Sequence, residues 1–219
     1  MAFPTSGLVD NQVHKEGNRS FVYDSTLLVW DQAPEAPETI SILGASTGLD
    51  DVTLGSSVVF PAGHVVQVVY YETSAFATGT SRMQDDNTIP QITEGDQYMS
   101  LAITPTSATN KLLVEVIHNT CGGYNGNQAV LGAIFNTHFH ATNALGISYV
   151  GQSDGYKLNT TPIRIYVVAG RTTATTFLFR SGSGSAGTTH FNGVAGTGSG
   201  TARGNGTLFS SIRITEIKV

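Results

Sequence analysis

The clearest hydrophobic pattern in the chain runs from Gln97 to Gly122, QYMSLAITPTSATNKLLVEVIHNTCG. Met99, Leu101 and Ile103 alternate with polar or small residues. Pro105–Asn110 interrupts the alternation, and Lys111–Ile117 resumes it with β-branched and aliphatic side chains. Successive side chains of a strand point to opposite faces, so a period of two predicts strands with a buried face. Pro105 fixes φ and Asn110 brings turn chemistry, which predicts one turn between two strands. No acid, base or nucleophile is assembled in this stretch, and it reads as framework.

The pattern recurs downstream and upstream. His64–Tyr71 (HVVQVVYY), Gln128–Phe139, Ile147–Val150, Ile163–Ala169 (IRIYVVA), Thr175–Arg180 (TTFLFR) and Thr207–Val219 read as further strands, parted by Gly, Asn and Ser. Ser74–Gln91 reads as a long polar loop. No window of about 11 residues carries helical periodicity. Short strands at near-regular spacing predict an all-β sandwich or jelly roll. His64–Tyr71, Lys111–Ile117 and Ile163–Ala169 are apolar at both phases of the alternation. A two-sheet sandwich covers only one face of each sheet. The second face, with Tyr70, Tyr71, Tyr166 and Phe179 nearby, therefore predicts a subunit interface, which a homotrimer around an apolar axis would satisfy.

The N-terminal part has a different texture. Met1–Gln32 reads as a small module with short strands at Phe21–Tyr23 and Leu27–Trp30. About 30 residues cannot build an independent core. Phe3, Phe21, Tyr23 and Trp30 are therefore expected to be buried against a docking surface or neighbouring copies. Ala33–Pro37 (APEAP) reads as a semi-extended linker, and the short apolar runs of Glu38–Ala62 suit a thin neck. The expected organisation is an anchor module over 1–32, a short neck over 33–62 and a β-sandwich knob over 63–219.

Composition narrows the function classes. The net charge is -5, from 11 Lys and Arg against 16 Asp and Glu, with no basic run. Phosphate neutralisation needs clustered cations, so nucleic acid is not the expected partner. The 28 threonines and 25 glycines favour strands and turns. The single cysteine, Cys121, forms no intrachain disulfide and is expected to be a buried small hydrophobe in a protein matured in a reducing compartment. The opening MAFPTSGLVD lacks the basic and apolar regions of a signal peptide. No run approaches the roughly 18 apolar residues of a membrane span.

Four segments carry a resemblance. Ala77–Val116, ATGTSRMQDDNTIPQITEGDQYMSLAITPTSATNKLLVEV, resembles the distal domain of phage tail-fibre and related virion-fibre proteins, especially of marine and cyanobacterial phages. Arg171–Gly193 and Ser210–Ile217 are similar to the same family, in the same order. Gly17–Asp31, GNRSFVYDSTLLVWD, is similar to a module at the virion-proximal end of many phage fibres. The resemblance implies a homotrimeric fibre whose distal knob is a jelly roll like those of complement C1q and tumour necrosis factor. It also implies a virion location, contact with other virion proteins through the N-terminus, and attachment to a host-surface glycan or protein. The chain is short for a tail fibre, with almost no shaft. Full tail fibre, tip subunit and short fibre on the capsid are therefore all open, and a capsid decoration protein without a receptor is the second reading.

Candidate chemistry is sparse. His138-Phe139-His140, read as a strand, would place two imidazoles on one face. Around a threefold axis three such pairs would make an octahedral nitrogen site suited to iron or nickel, as in some phage fibres that the chain resembles. No other cofactor is expected. Asp85-Asp86-Asn87 and Glu94-Gly95-Asp96 supply hard oxygen ligands without the EF-hand pattern. Gly182–Gly206 is glycine-rich but lacks GxxxxGK[ST], so it reads as connection rather than phosphate cradle. Gly151-Gln152-Ser153-Asp154-Gly155 matches GxSxG, but a strand pattern follows instead of the helix a nucleophile elbow needs, and a hairpin loop is the expected reading. A polysaccharide depolymerase built from paired acids is disfavoured, and no enzymatic activity is expected. The expected tip loops are Gly122–Asn127, Gly151–Tyr156 and Gly193–Gly204. Tyr124, Asn125, Asp154 and Tyr156 are the candidate receptor contacts, since Tyr supplies rigid area and Asn and Asp adaptable hydrogen bonds.

Overall fold

The computed structural model describes residues 7–9, 12–16, 19–24, 26, 29–32, 60–122, 128–139, 142–153, 157–195 and 200–219. The chain divides into two units, Met1–Val58 and Val59–Val219.

The first unit carries a three-stranded antiparallel sheet of β1 (Val13–Glu16), β2 (Arg19–Asp24) and β3 (Val29–Gln32), with β2 central. β2 and β3 cover most of the two expected strands, while β1 was not foreseen. Phe21 and Tyr23 share a face of β2 and are buried in the chain itself, at 8% and 7% exposure. Phe3 and the Trp30 side chain lie outside the described residues, as does the expected neck up to residue 59.

The second unit is built from β4 (Val65–Thr73), β5 (Ala77–Gly79), β6 (Asp96–Ile103), β7 (Lys111–Cys121), β8 (Gln128–Asn136), β9 (Gly146–Ser153), β10 (Asn159–Val168) and β11 (Thr175–Ser183). It continues through the short β12 (Thr189–Phe191), β13 (Gly193–Val194) and β14 (Thr201–Ala202), a 3-10 turn at Gly204–Gly206, and β15 (Ser210–Ile217). Every pairing is antiparallel.

Strand order identifies the architecture. The first sheet runs β4-β15-β7-β10, and β12 and β5 extend its middle and edge rows beyond β15 and β4. The second sheet runs β6-β11-β8-β9. Taking the eight long strands in chain order, first pairs with last (β4 with β15), second with seventh (β6 with β11), third with sixth (β7 with β10) and fourth with fifth (β8 with β9). That is one nested antiparallel ribbon. Rolling it up brings β15 onto β7 and β11 onto β8, which is a jelly roll. The expected all-β jelly-roll sandwich is therefore the observed fold. β6 and β7, which read as two strands around one turn, lie in opposite sheets, so Thr104–Asn110 is a crossover rather than a hairpin.

Side-chain alternation builds the core between the sheets. Leu112, Val114 and Val116 from β7, Ile212 and Ile214 from β15, and Ile163 from β10 meet Met99, Ile134, Phe177 and Phe179 from the second sheet. Each fully buried aliphatic or aromatic side chain contributes about 1.5–3 kcal/mol of transfer free energy. β8 is buried on both faces. Its outward residues Leu131, Ala133 and Phe135 pack with Met83 in a second cluster, beneath the connection between β5 and β6. The stretch expected to be a solvated loop is thus a strap over the second sheet. Edge strand β10 carries Pro162, whose missing N–H is tolerated at a sheet edge.

Candidate functional site

Strand direction sorts the connections between two ends of the sandwich. β7 ends at Cys121 where β8 begins at Gln128, and β10 starts beside that end, with Asn159 paired to Thr120. β12 joins the same end through His190 opposite Cys121. The connections 122–128, 153–159 and 192–209 therefore leave from one end, as the tip-loop reading requires. The candidate contacts Tyr124, Asn125, Asp154 and Tyr156 lie outside the described residues. Gly151, Gln152 and Ser153 of the GxSxG match lie in β9, and Asp154 and Gly155 lie outside the described residues.

A buried polar platform underlies these loops. The Ser210 hydroxyl accepts from the Asn119 backbone N–H at 3.0 Å and donates to Asn192 Oδ1 at 2.7 Å. Asn119 Nδ2 donates to the Phe209 carbonyl at 2.7 Å, and Thr160 Oγ1 donates to Asn119 Oδ1 at 2.6 Å. Asn192 Nδ2 donates to the Thr73 and Ala75 carbonyls at 2.9 and 3.2 Å. Asn192 holds a left-handed φ of 54°, a conformation Asn tolerates better than most residues. β4, β7, β10 and β15 are thereby tied to the 192 turn at the end that carries the loops. Satisfied buried networks of this kind fix one arrangement. None of these residues was singled out in the sequence, and Asn119 shares the outward phase of β7 with Glu115 and Ile117, so alternation gives no sign of its burial.

His118 sits just below the platform. Its Nε2 is 2.8 Å from Ser148 Oγ of the opposite sheet, its Nδ1 is 3.1 Å from Thr120 Oγ1, and its ring packs on Phe179 at 4.5 Å. Burial pushes its pKa down to about 3, so it is neutral. The pair has nucleophile-and-base spacing, but His118 and Ser148 are both buried. A Cβ at Gly132 would stand 2.7 Å from Ser148 Oγ and 2.8 Å from His118 Nε2, so there is no room for a substrate. The pair joins the two sheets.

The proposed histidine pair fares differently from its strand premise. β8 ends at Asn136, and His138 lies in the following bend, exposed. Asn136 Oδ1 accepts the His138 and Phe139 backbone N–H groups at 2.8 and 3.0 Å, which turns the chain out of the sheet. His138 is therefore not a strand residue, and His140 lies outside the described residues. Among the described residues no group of three or more His, Cys, Asp or Glu could hold a metal ion. The strap acids serve the loop itself. Glu94 accepts the Gln84 and Gln91 N–H groups at 2.8 and 2.9 Å, Asp96 accepts from Ser81, and Thr88 holds the Asp86 carboxyl below its ordinary pKa. Cys121 is fully buried, with its Sγ 3.4 Å from the Gly193 carbonyl. Its thiol should react with a disulfide reagent only on unfolding, at a rate that rises with denaturant.

The outer face of the first sheet is the second candidate surface. Register aligns Tyr70, Arg213, Glu115 and Arg164 in one row across β4, β15, β7 and β10, and Val68, Thr215, Leu113 and Tyr166 in the next. Ile117 and Val168 flank them on the same face. Val68, Tyr70, Ile117, Tyr166 and Val168 are 48–55% exposed. Arg213 binds Glu115 through two nitrogens, while Arg164 lies 3.9 Å from Glu115 and donates to the Tyr166 hydroxyl at 2.8 Å. A depression of about 340 Å³ opens between Tyr70, Ile117, Pro162 and the two arginines. The residues of this face belong to stretches that are apolar at both phases, whereas Phe179, expected near it, is buried in the core between the sheets.

No protein-family model and no curated protein matches the chain. Among solved structures it is similar to a chain in the structure of the Gx strain of infectious bursal disease virus, at 12% identity and a TM-score of 0.34. The alignment covers 77% of this chain and 46% of the other, so the chain spans less than half of that protein's length. A similarity at that score establishes neither fold nor function. The jelly-roll assignment stands on strand order alone.

Proposed function

We propose that the chain is a virion structural protein: a homotrimeric fibre in which the jelly roll is a knob presenting its loop end to the host surface. The observation that carries this reading is the asymmetry of the two outer faces. The middle of the second sheet, on β8, is covered by its strap, and Ile147 and Tyr149 on edge strand β9 stay exposed, whereas the first sheet leaves Val68, Tyr70, Ile117, Tyr166 and Val168 half exposed across three of its strands. Half-exposed apolar side chains set around the Arg213–Glu115–Arg164 row give the mixed composition of an interaction face. Four strands about 4.8 Å apart with four same-face residues each make roughly 500 Å². That is more than half of the roughly 800 Å² per partner of a stable interface.

The resemblance of residues 77–116, 171–193 and 210–217 to phage fibres supplies the threefold symmetry and the virion setting. The loop end, stiffened by Asn119, Ser210 and Asn192, supplies a platform for recognition with Tyr124, Asn125, Asp154 and Tyr156 as contacts. No catalysis is assigned.

Light scattering at micromolar concentration should give three times the chain mass. Tyr166→Glu with Val68→Glu, both surface changes, should give a folded monomer by scattering and circular dichroism. A parent chain that is already monomeric overturns the trimer. Labelled trimer should bind host cells, and Tyr124→Ala with Tyr156→Ala should reduce binding at least tenfold without changing mass. Particles that carry the protein but adsorb normally without it would leave a decoration role in place of attachment.

A further inference from the structure

The end of the sandwich opposite the loops is closed around one buried carboxylate. Glu216 follows Ile212 and Ile214 on the inward face of β15 and is fully buried. Its Oε1 accepts from the Thr106 N–H at 2.8 Å, the Thr106 hydroxyl at 2.8 Å, Asn110 Nδ2 at 2.6 Å and, more distantly, the Ser107 N–H at 3.4 Å. Its Oε2 accepts from Gln67 Nε2 at 2.6 Å, and that amide also donates to the Thr104 carbonyl at 2.8 Å. The ties extend outward. The Ala169 and Gly170 N–H groups donate to the Asn110 and Ala108 carbonyls, each at 2.8 Å. The Lys218 N–H donates to the His64 carbonyl and the Gly63 N–H to the Lys218 carbonyl, again at 2.8 Å. Chain entry at Gly63, chain exit at Lys218, the 104–110 crossover and the turn after β10 thus meet at this acid.

Among the described residues no Lys, Arg or His pairs with the carboxylate. β4 faces it with Gln67, the crossover with Thr106, Ser107 and Asn110, and β7 places Leu112 opposite it in register. The neighbouring titratable groups are His64 and Lys218, which line the adjoining groove with Phe60, and Lys111, opposite Ile217. Burial alone would raise the Glu216 pKa, but the hydrogen bonds from Gln67, Asn110 and Thr106 outweigh it and hold the carboxyl below its ordinary 4.5.

We propose that Glu216 is an acid-released latch: ionised, it holds both turns and both chain ends of the base in one joint, and protonated, it lets the 104–110 crossover and residues 217–219 open while the sandwich core stays closed. A proton on Oε1 converts the acceptor of the crossover's donors into a competing donor. A proton on Oε2 opposes the Gln67 amide and breaks the tie to β4. Either way the remaining bonds lose their charge assistance, which makes such bonds about twice as strong as neutral ones. Because the folded pKa lies below the unfolded one, the stabilisation is present above pH 4.5 and is lost as pH falls through the folded value. The inference concerns one chain and stands whether or not the protein is a trimer.

Hydrogen exchange between pH 7 and pH 3 on the full chain carrying His118→Gln, which removes the buried imidazole's own acid sensitivity, and expressed as protection relative to intrinsic rates, tests it. The Ala169, Gly170 and Lys218 amides should lose protection at least tenfold relative to those of Ile134, Phe177 and Phe179, and only below pH 4.5. Gln67→Met, which removes one donor, should move that step to higher pH. Glu216→Gln should show the unprotected base at pH 7 and no step. Loss of base and core protection in parallel, or full base protection at pH 7 in Glu216→Gln, overturns the proposal.

Discussion

Acidification from neutral pH towards pH 3 should cost the second unit roughly 5 kcal/mol through one side chain, His118. The folded chain holds this imidazole neutral, with its pKa pushed from 6.5 down to about 3 by burial between the sheets. The unfolded chain takes up the proton near 6.5. Below that pH the unfolded state binds more protons than the folded state, so stability falls with pH until the folded value is reached. Each pKa unit is worth about 1.4 kcal/mol. The loss begins above the window in which Glu216 acts and continues through it, so His118 is read by itself between pH 6.5 and 4.5. Urea unfolding at half-unit pH steps should show the decline from pH 6.5 onward. In His118→Gln, which keeps polar atoms in the slot but has no group to protonate, the slope between pH 6.5 and 5 should largely vanish. An unchanged slope in that variant would assign the acid sensitivity elsewhere.

His118 also shows what could be read in advance. It follows Leu112, Val114 and Val116 at the same phase of β7, so alternation places it in the core, just as it places Glu216 after Ile212 and Ile214. Both were legible as positions. Their partners were not, because Ser148 and the Thr106–Asn110 crossover are brought there by the rolling of the ribbon. Strand positions were likewise legible wherever one face is buried, as in β6, β7, β10, β11 and β15. Sheet membership was not. β6 and β7 are consecutive in sequence, yet each pairs with strands far along the chain, and periodicity carries no information about which partner a strand finds. The histidine pair at 138 and 140 failed as a strand motif because Asn136 captures the next backbone N–H groups, a local side-chain competition with the ladder. The candidate loop contacts rest on where the connections leave the sandwich, which topology supports, and not on any described side chain.

The strap is the element that the pattern misread most, and it yields the second large effect. Residues 80–95 are polar enough to pass for solvated loop, but Met83 among them is fully buried on Leu131, Ala133 and Phe135. The backbone of the strap can lie that close because Gly182 has no side chain on the outer face of β11. A Cβ there would stand 2.7 Å from both the Met83 nitrogen and the Ser81 carbonyl oxygen, and 3.0 Å from Gly95 Cα. All three are main-chain atoms, held by the Met83 N–H on the Ser183 carbonyl, the Gly95 N–H on the Arg82 carbonyl and the Arg180 guanidinium on the Glu94 and Gly95 carbonyls. They cannot turn aside as a flexible side chain would. Gly182→Val should therefore lift the strap instead of being absorbed, at a cost of about 3 kcal/mol, the upper part of the usual range for overpacking. Lifting it uncovers the outer cluster on β8, so binding of a hydrophobic dye should rise together with the fall in melting temperature. Gly151→Ala is the matched control. Its Cβ would meet Tyr149 at an ordinary 3.4 Å, and it should melt within a degree or two of the parent. If Gly182→Val behaves like that control, the strap is not seated on the sheet, and the second outer face is as open as the first.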